Sequence, residues 1–206
     1  MKMNRRLLLV SVSTLSLFGL WGCSTSTNNA EIKVAPLHAS YAIDVNDINE
    51  VVGDADNVFV GYVEKLKGTE YKFPVTKETE DGGTKELSMP YTNYSITVVD
   101  NIKGKLKKNK PIPMQKTGGQ SEEDKNLYLV YEKDNLPKER KYYIFNTYNQ
   151  PDGTILIPGG PNSSIELNAA RKSEIVSSKK YKEFKKAVRN QVKSDRKRFE
   201  SKYNEL

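Results

Sequence analysis

The chain of 206 residues holds one Cys, one His and one Trp. A lone Cys excludes an internal disulfide, and one Cys with one His excludes a Cys/His zinc cluster. A single imidazole leaves no Ser-His-Asp arrangement except through His38, which lies in Pro36-Leu37-His38-Ala39 and reads as an exposed bystander. A Gly-x-Ser-x-Gly elbow is missing. So is a phosphate loop, because Gly118-Gly119-Gln120-Ser121 has no Lys to reach a phosphate and reads as a turn. No apolar run is long enough to span a bilayer, which takes about 20 residues. The longest, Leu7 to Trp21, has 15 and is interrupted by Ser11, Ser13 and Ser16.

The first 22 residues also lack any acid, and Lys2, Arg5 and Arg6 precede the apolar run. A basic start before a short apolar middle is the design of a secretory signal. Leu20-Trp21-Gly22-Cys23 resembles the lipobox of bacterial lipoproteins, with an aliphatic residue three positions before the Cys and a small one just before it. Trp21 departs from the small residue usual between them. The alternative is an ordinary signal followed by an incidental Cys. The resemblance implies cleavage after residue 22 and a diacylglyceryl group on the thiol of Cys23. Two or more acyl chains, at about 0.8 kcal/mol per buried methylene, make a stable anchor. Residues 23–40 then read as the lipidated Cys and a tether, rich in Ser, Thr and Asn over Ser24 to Pro36. The expected location is the extracytoplasmic face of the cell membrane.

A formal net charge of +7 invites a nucleic-acid reading, but its distribution argues otherwise. Removing residues 1–22 leaves 30 basic and 26 acidic groups; residues 171–206 hold 13 and 5 of these, and residues 23–170 hold 17 and 21. The body is mildly acidic and only the tail is basic. No base-reading motif accompanies the charge, so nucleic acid is not an expected partner. From Ser178 to Leu206 there is neither Gly nor Pro, and Tyr181, Phe184, Val188, Val192, Phe199, Tyr203 and Leu206 recur at helical spacing. The pattern predicts a long basic amphipathic helix over residues 171–206. Two uses are open. The helix packs on the domain with its lysines solvated, or Lys179, Lys180, Lys185, Lys186, Arg189, Lys193, Arg196 and Arg198 contact anionic lipid or a wall polymer.

Residues 41–170 are expected to form the folded domain, with enough chain for one core and 12 Tyr and 6 Phe in the sequence to fill it. Asp44 is placed to cap a short helix containing Ile48, Val51 and Val52, with Gly53 ending it. Strands are predicted at Asn57–Val63, Tyr91–Ile102, Pro111–Thr117, Leu127–Tyr131, Lys141–Thr147, Thr154–Ile157 and Ser164–Leu167. Polar Gly68–Pro90, with Asp81-Gly82-Gly83 at its centre, reads as a protruding hairpin or long loop. Many short strands indicate a mainly β, antiparallel barrel or sandwich.

The order of these segments carries a resemblance. Ala55-Asp56-Asn57-Val58-Phe59-Val60-Gly61-Tyr62-Val63, then Ser95-Ile96-Thr97-Val98-Val99 closing on Lys103-Gly104, then Gly118-Gly119 and Tyr142-Tyr143-Ile144-Phe145, is similar to bacterial extracytoplasmic domains of the netrin-like kind. These are related in fold to the tissue inhibitors of metalloproteinases. The resemblance covers residues 41–167 and implies a small OB-like barrel of five strands. Inhibition of metalloproteases does not carry over, because the animal inhibitors present a free N-terminal Cys braced by disulfides, whereas Cys23 is expected to be acylated.

Catalytic groups are scarce. Asp44, Asn46, Asp47, Asn49, Glu50, Asp54 and Asp56 are dense in oxygen, but Ile48 and Val58 break the EF-hand pattern, and capping and turns account for most of them. No metal or cofactor is expected. Glu122-Glu123-Asp124 has no second acidic cluster that sequence places beside it. A binding module is the better expectation: in OB barrels the loop after the first strand and the face of strands two and three recognise oligomers. The residues so placed are Tyr71, Phe73, Tyr91 and Tyr94, although Tyr at strand spacing also suits core packing. The expected function is therefore a non-catalytic interaction module for an envelope protein or polymer, the alternative being a hydrolase of envelope substrates that works with carboxylates alone.

Overall fold

Val58–Val63 has no charged residue along its length because both of its faces are covered. Phe59 and Val63 point into one cluster with Tyr94, Ile96, Tyr143 and Phe145, while Val58 and Val60 point into a second with Val52, Ile144, Leu167 and Phe184. A strand buried on both sides loses the alternation of a half-exposed one. The computed structural model describes residues 32–205. The signal segment, Cys23 and the start of the tether lie outside the described residues.

Chain order is β1 (Lys33–Leu37), α1 (Ile48–Asp54), β2 (Asn57–Glu78), β3 (Thr84–Lys103), β4 (Pro111–Thr117), β5 (Gly119–Gln120), β6 (Leu127–Tyr131), β7 (Tyr142–Asn149), β8 (Ile155–Ile157), β9 (Ser164–Leu167), α2 (Lys172–Ser177) and α3 (Lys179–Arg189). The protein is mainly β. The larger sheet runs β2-β3-β4-β8-β7-β9, and β7 also pairs with β2. At Gly61 a side chain would strike Ile96 and Phe145, so the absence of one lets β2 lie tight against its neighbours. A smaller sheet runs β1-β6-β5.

Four expectations change. The sheets are mixed, since β1–β6 and β4–β8 pair in parallel. Part of the expected tether is β1, held to β6 from Lys33↔Leu127 to Leu37↔Tyr131. The cap of α1 is Asp47, whose Oδ1 accepts from the Asn49 N–H at 2.8 Å, and Asp44 instead forms the preceding turn, its Oδ1 accepting from Asn46. Gly53 lies inside α1 rather than ending it, and its missing side chain makes room for the backbone of Val192, which a Cβ would overlap.

The long C-terminal helix is the largest correction. It is broken at Ser178, which caps α3, and it stops at Arg189. Ile175, Tyr181, Phe184 and Ala187 bury an apolar stripe in the second cluster. Residues 191–205 form no helix. They run as a strap across the domain, with Val192 N–H on Asn49 O, Lys202 N–H on Gly153 O, and Lys107 N–H on Tyr203 O. Val192 is 55% exposed, so the periodic stripe ends there. Of the two forms expected for Gly68–Pro90, a hairpin or a long loop, the chain takes the hairpin: β2 and β3 continue as a two-stranded arm, paired from Thr69↔Thr92 out to Glu78↔Thr84.

Candidate functional site

At the root of this arm the pairing slips between Lys72 and Val75. Such a bulge re-aims a side chain, and here it presents Phe73, which sits at φ 54° and is 66% exposed. Left-handed backbone is costly for a bulky residue without a local reason. The ring of Phe73 meets that of Tyr91 edge-on, with centroids 6.0 Å apart. Lys72 Nζ lies 5.6 Å from the Tyr91 centroid and donates to Gln115 Oε1 at 2.8 Å. The turn between β7 and β8, with Pro151 and Asp152, forms the opposite wall of a groove of about 310 Å³. The groove therefore combines an apolar floor, a cation and an amide.

Phe73 and Tyr91 are thus brought together, whereas the other two expected binding residues are not with them. Tyr71 donates to Ser121 O at 3.3 Å and accepts from Lys125 Nζ at 3.1 Å. Tyr94 is buried in the main cluster at 1% exposure, and burial pushes its phenol pKa up. It is a core residue, which corrects its assignment as a surface contact.

The cations of the tail divide at Asn190. Lys179, Lys180, Lys185, Lys186 and Arg189 are exposed on α3; Lys180 pairs with Glu183 at 3.1 Å, and Lys185 lies 5.6 Å over the Tyr181 ring. Lys193 is exposed on the strap. Arg196 and Arg198 are fixed against the end of α1. A helix leaves its last carbonyls without intrahelical partners and carries partial negative charge there. Arg196 Nη2 donates to Asp54 O at 2.7 Å, Arg198 Nη2 to Gly53 O at 2.8 Å and Nη1 to Ala55 O at 3.1 Å, while Lys103 Nζ reaches Val52 O at 2.6 Å. The same guanidiniums bridge to Asp56 Oδ1 at 2.7 and 3.0 Å. These contacts remove Arg196 and Arg198 from the set free to meet a membrane or polymer.

Charge states follow from this packing. Burial works to raise the Asp54 pKa, but hydrogen bonds from Ser194 and Tyr148 and the charges of Arg196 and Arg198 outweigh it and hold the carboxyl below its ordinary value. Lys103 is pushed down to about 8, chiefly by burial and also by Arg198 beside it.

Sequence reasoning missed a buried ion pair. Lys116 Nζ lies 2.8 Å from Asp134 Oδ2, with the two side chains 0% and 2% exposed. Its other protons go to Ser163 Oγ at 2.9 Å and Pro158 O at 3.0 Å, while Asp134 also accepts from Gly160 N–H and Asn135 N–H. An ammonium has three donors, and all three are used. Nothing local marks Lys116: its partners lie 18 to 47 positions away. Among the described residues no group of three or more His, Cys, Asp or Glu is placed to hold a metal. His38 Nδ1 lies 3.1 Å from Glu132, and both side chains are exposed.

No protein-family model matches the chain, and no curated protein matches it.

Proposed function

We propose that the chain is a bacterial surface lipoprotein, held on the extracytoplasmic face of the membrane by acyl chains on Cys23, whose domain binds an envelope protein or polymer without catalysis. The observation that carries this reading is the exposed, left-handed Phe73 at the arm root, packed edge-on against Tyr91 along one wall of a groove. The strand pairing supports an OB-like reading of the domain. Hydrogen bonding passes β2-β3-β4-β8-β7 and returns to β2, with β4 and β8 parallel. In OB-type barrels the loops after the first and fourth strands flank the ligand face. In that correspondence they are the β2–β3 arm and the β7–β8 turn, the two walls of the Phe73 groove. The exposed cations of α3 suit an anionic headgroup or polymer beside the anchor.

A carboxylate hydrolase finds less support. Asp54 and Asp56, the acids gathered at the end of α1, are occupied by guanidiniums and hydrogen bonds. The test is a photocrosslinking residue in place of Phe73 in living cells, with exposed Lys138, away from both the groove and α3, as the control position. A discrete high-mass adduct from position 73 and none from 138 is the expected result. Absence of any adduct at 73, or the same adducts at both, would remove the groove as the binding surface.

A further inference from the structure

A cavity of about 640 Å³ lies between the strap and the turn that follows β3. Gly104 shapes that turn: it sits at φ 89°, and a side chain on it would overlap Asn57 at the start of β2. The turn leaves Lys103 and Lys105 on the lining, where Lys193 and Arg198 join them from the strap. Two acids, Asp56 and Glu200, also line the cavity, so its wall carries two positive charges in excess. Asp56 has nothing further to offer them. Its Oδ1 is shared by Arg196 and Arg198, and its Oδ2 accepts from the Asn149 N–H at 2.8 Å. Glu200 is exposed, and its Oε2 accepts from Asn204 Nδ2 at 2.9 Å.

The three lysines keep donors to spare. Lys103 Nζ gives two protons to Val52 O and Gly53 O, at 2.6 and 3.2 Å, and an ammonium has three. Lys105 and Lys193 are exposed, and among the described residues neither pairs with an acid. Arg198, held by the carbonyls at the end of α1, adds only its field. The charges that face Lys103 agree with this count. Arg198 and Arg196 act against its proton and Asp56 and Asp54 favour it, and with burial as the chief cause its pKa falls to about 8. The volume lies within the range of small-molecule sites. Lysine engages phosphate as a point charge, and a doubly charged group matches the excess on the wall. We propose that this cavity binds a phosphate dianion, free or as the ester of a larger molecule, held by Lys103, Lys105 and Lys193. The inference stands on this cavity alone and does not depend on the anchor, the Phe73 groove or α3.

The test is titration of the full chain, in neutral detergent micelles at about 0.1 M salt, with inorganic phosphate and with glycerol phosphate. Calorimetry just above pH 8, in buffers of different ionisation enthalpy, reads binding and proton uptake together. Saturable binding at roughly 0.1–1 mM is expected, in keeping with ligands of this size. Uptake of a fraction of a proton should accompany it, because a bound dianion favours the charged form of Lys103. Lys105→Gln combined with Lys193→Gln should weaken binding roughly 10-fold at an unchanged melting temperature, since both side chains are exposed. Lys103→Met should weaken binding and abolish the uptake. Tighter binding of the ester assigns the site to a phosphorylated envelope component, and tighter binding of inorganic phosphate assigns it to the free ion. No saturable binding by the unaltered chain would overturn the proposal. So would full-strength binding by the Lys105 and Lys193 double variant, or uptake that persists in Lys103→Met. Loss of binding on replacing Lys179, Lys185 and Lys186 with Gln would overturn it too, by placing the phosphate on α3.

Discussion

The two halves of the basic tail differ in charge and in fate: residues 171–190 hold 8 basic and 2 acidic groups, and residues 191–206 hold 5 and 3. On α3, Lys179, Lys180, Lys185, Lys186 and Arg189 stand in solvent while Tyr181 and Phe184 hold the helix to the domain. On the strap, Arg196 and Arg198 spend their donors on the carbonyls of residues 53 to 55 and on Asp56. The difference lies in the partners, since only the strap reaches the open end of α1. A charge count ranks the two halves but does not say which cations are engaged: these cations of α3 are exposed, and on the strap Lys193 is exposed while Arg196 and Arg198 are held.

The sharpest way to break this contrast is at the most committed cation of all. Lys116→Met should cost about 3–5 kcal/mol, measured as a lowered denaturant midpoint, because Asp134 would be left buried without its counter-charge. Next comes Arg198→Ala. Freeing the end of α1 should destabilise the protein by about 1–3 kcal/mol and raise amide exchange in α1 and the strap. The third effect is on pH. The Lys103 pKa is about 8 folded against 10.5 unfolded, so below pH 8 folding opposes its charge, and stability should rise between pH 8 and 10 as the folded state gives up the proton first. Lys103→Met should flatten that rise. The smallest effect on stability should come from α3. Replacing Lys179, Lys185 and Lys186 with Gln should change it by less than about 0.5 kcal/mol per site, yet lower retention on anionic vesicles in a salt-dependent way. Charge replacement is preferable to truncation at residue 170, which would strip Ile175, Tyr181 and Phe184 from the second core cluster.

What was legible in the sequence is what neighbours in the chain decide. Pro111–Thr117, Leu127–Tyr131 and Ser164–Leu167 are strands with the bounds that their turn residues suggested. The arm was only half visible: Asp81-Gly82-Gly83 at the centre of a polar stretch allowed a hairpin or a long loop, and the strands on either side run on to Glu78 and from Thr84. The strap was not visible, because Val188 and Val192 continue the helical period while Arg196 and Arg198 are drawn to acids more than 140 positions earlier. Lys33–Leu37 passed for tether because its pairing partner lies 94 positions on, in β6. At the candidate site, Phe73 and Tyr91, singled out from the order of segments, lie side by side. The bulge that turns Phe73 outward was not legible, nor was the burial of Tyr94, because each depends on register between strands.

Both the arm-root contact and the role proposed for α3 assume that the domain sits at a membrane, and that rests on Cys23. Intact-mass measurement of the chain extracted from cell membranes tests it most directly. The expected product is a chain beginning at Cys23 and heavier than its polypeptide by a diacylglyceryl group, with Cys23→Ala abolishing both the added mass and the retention. A chain of bare polypeptide mass, or a Cys23→Ala protein still acylated and held in the membrane, would contradict it.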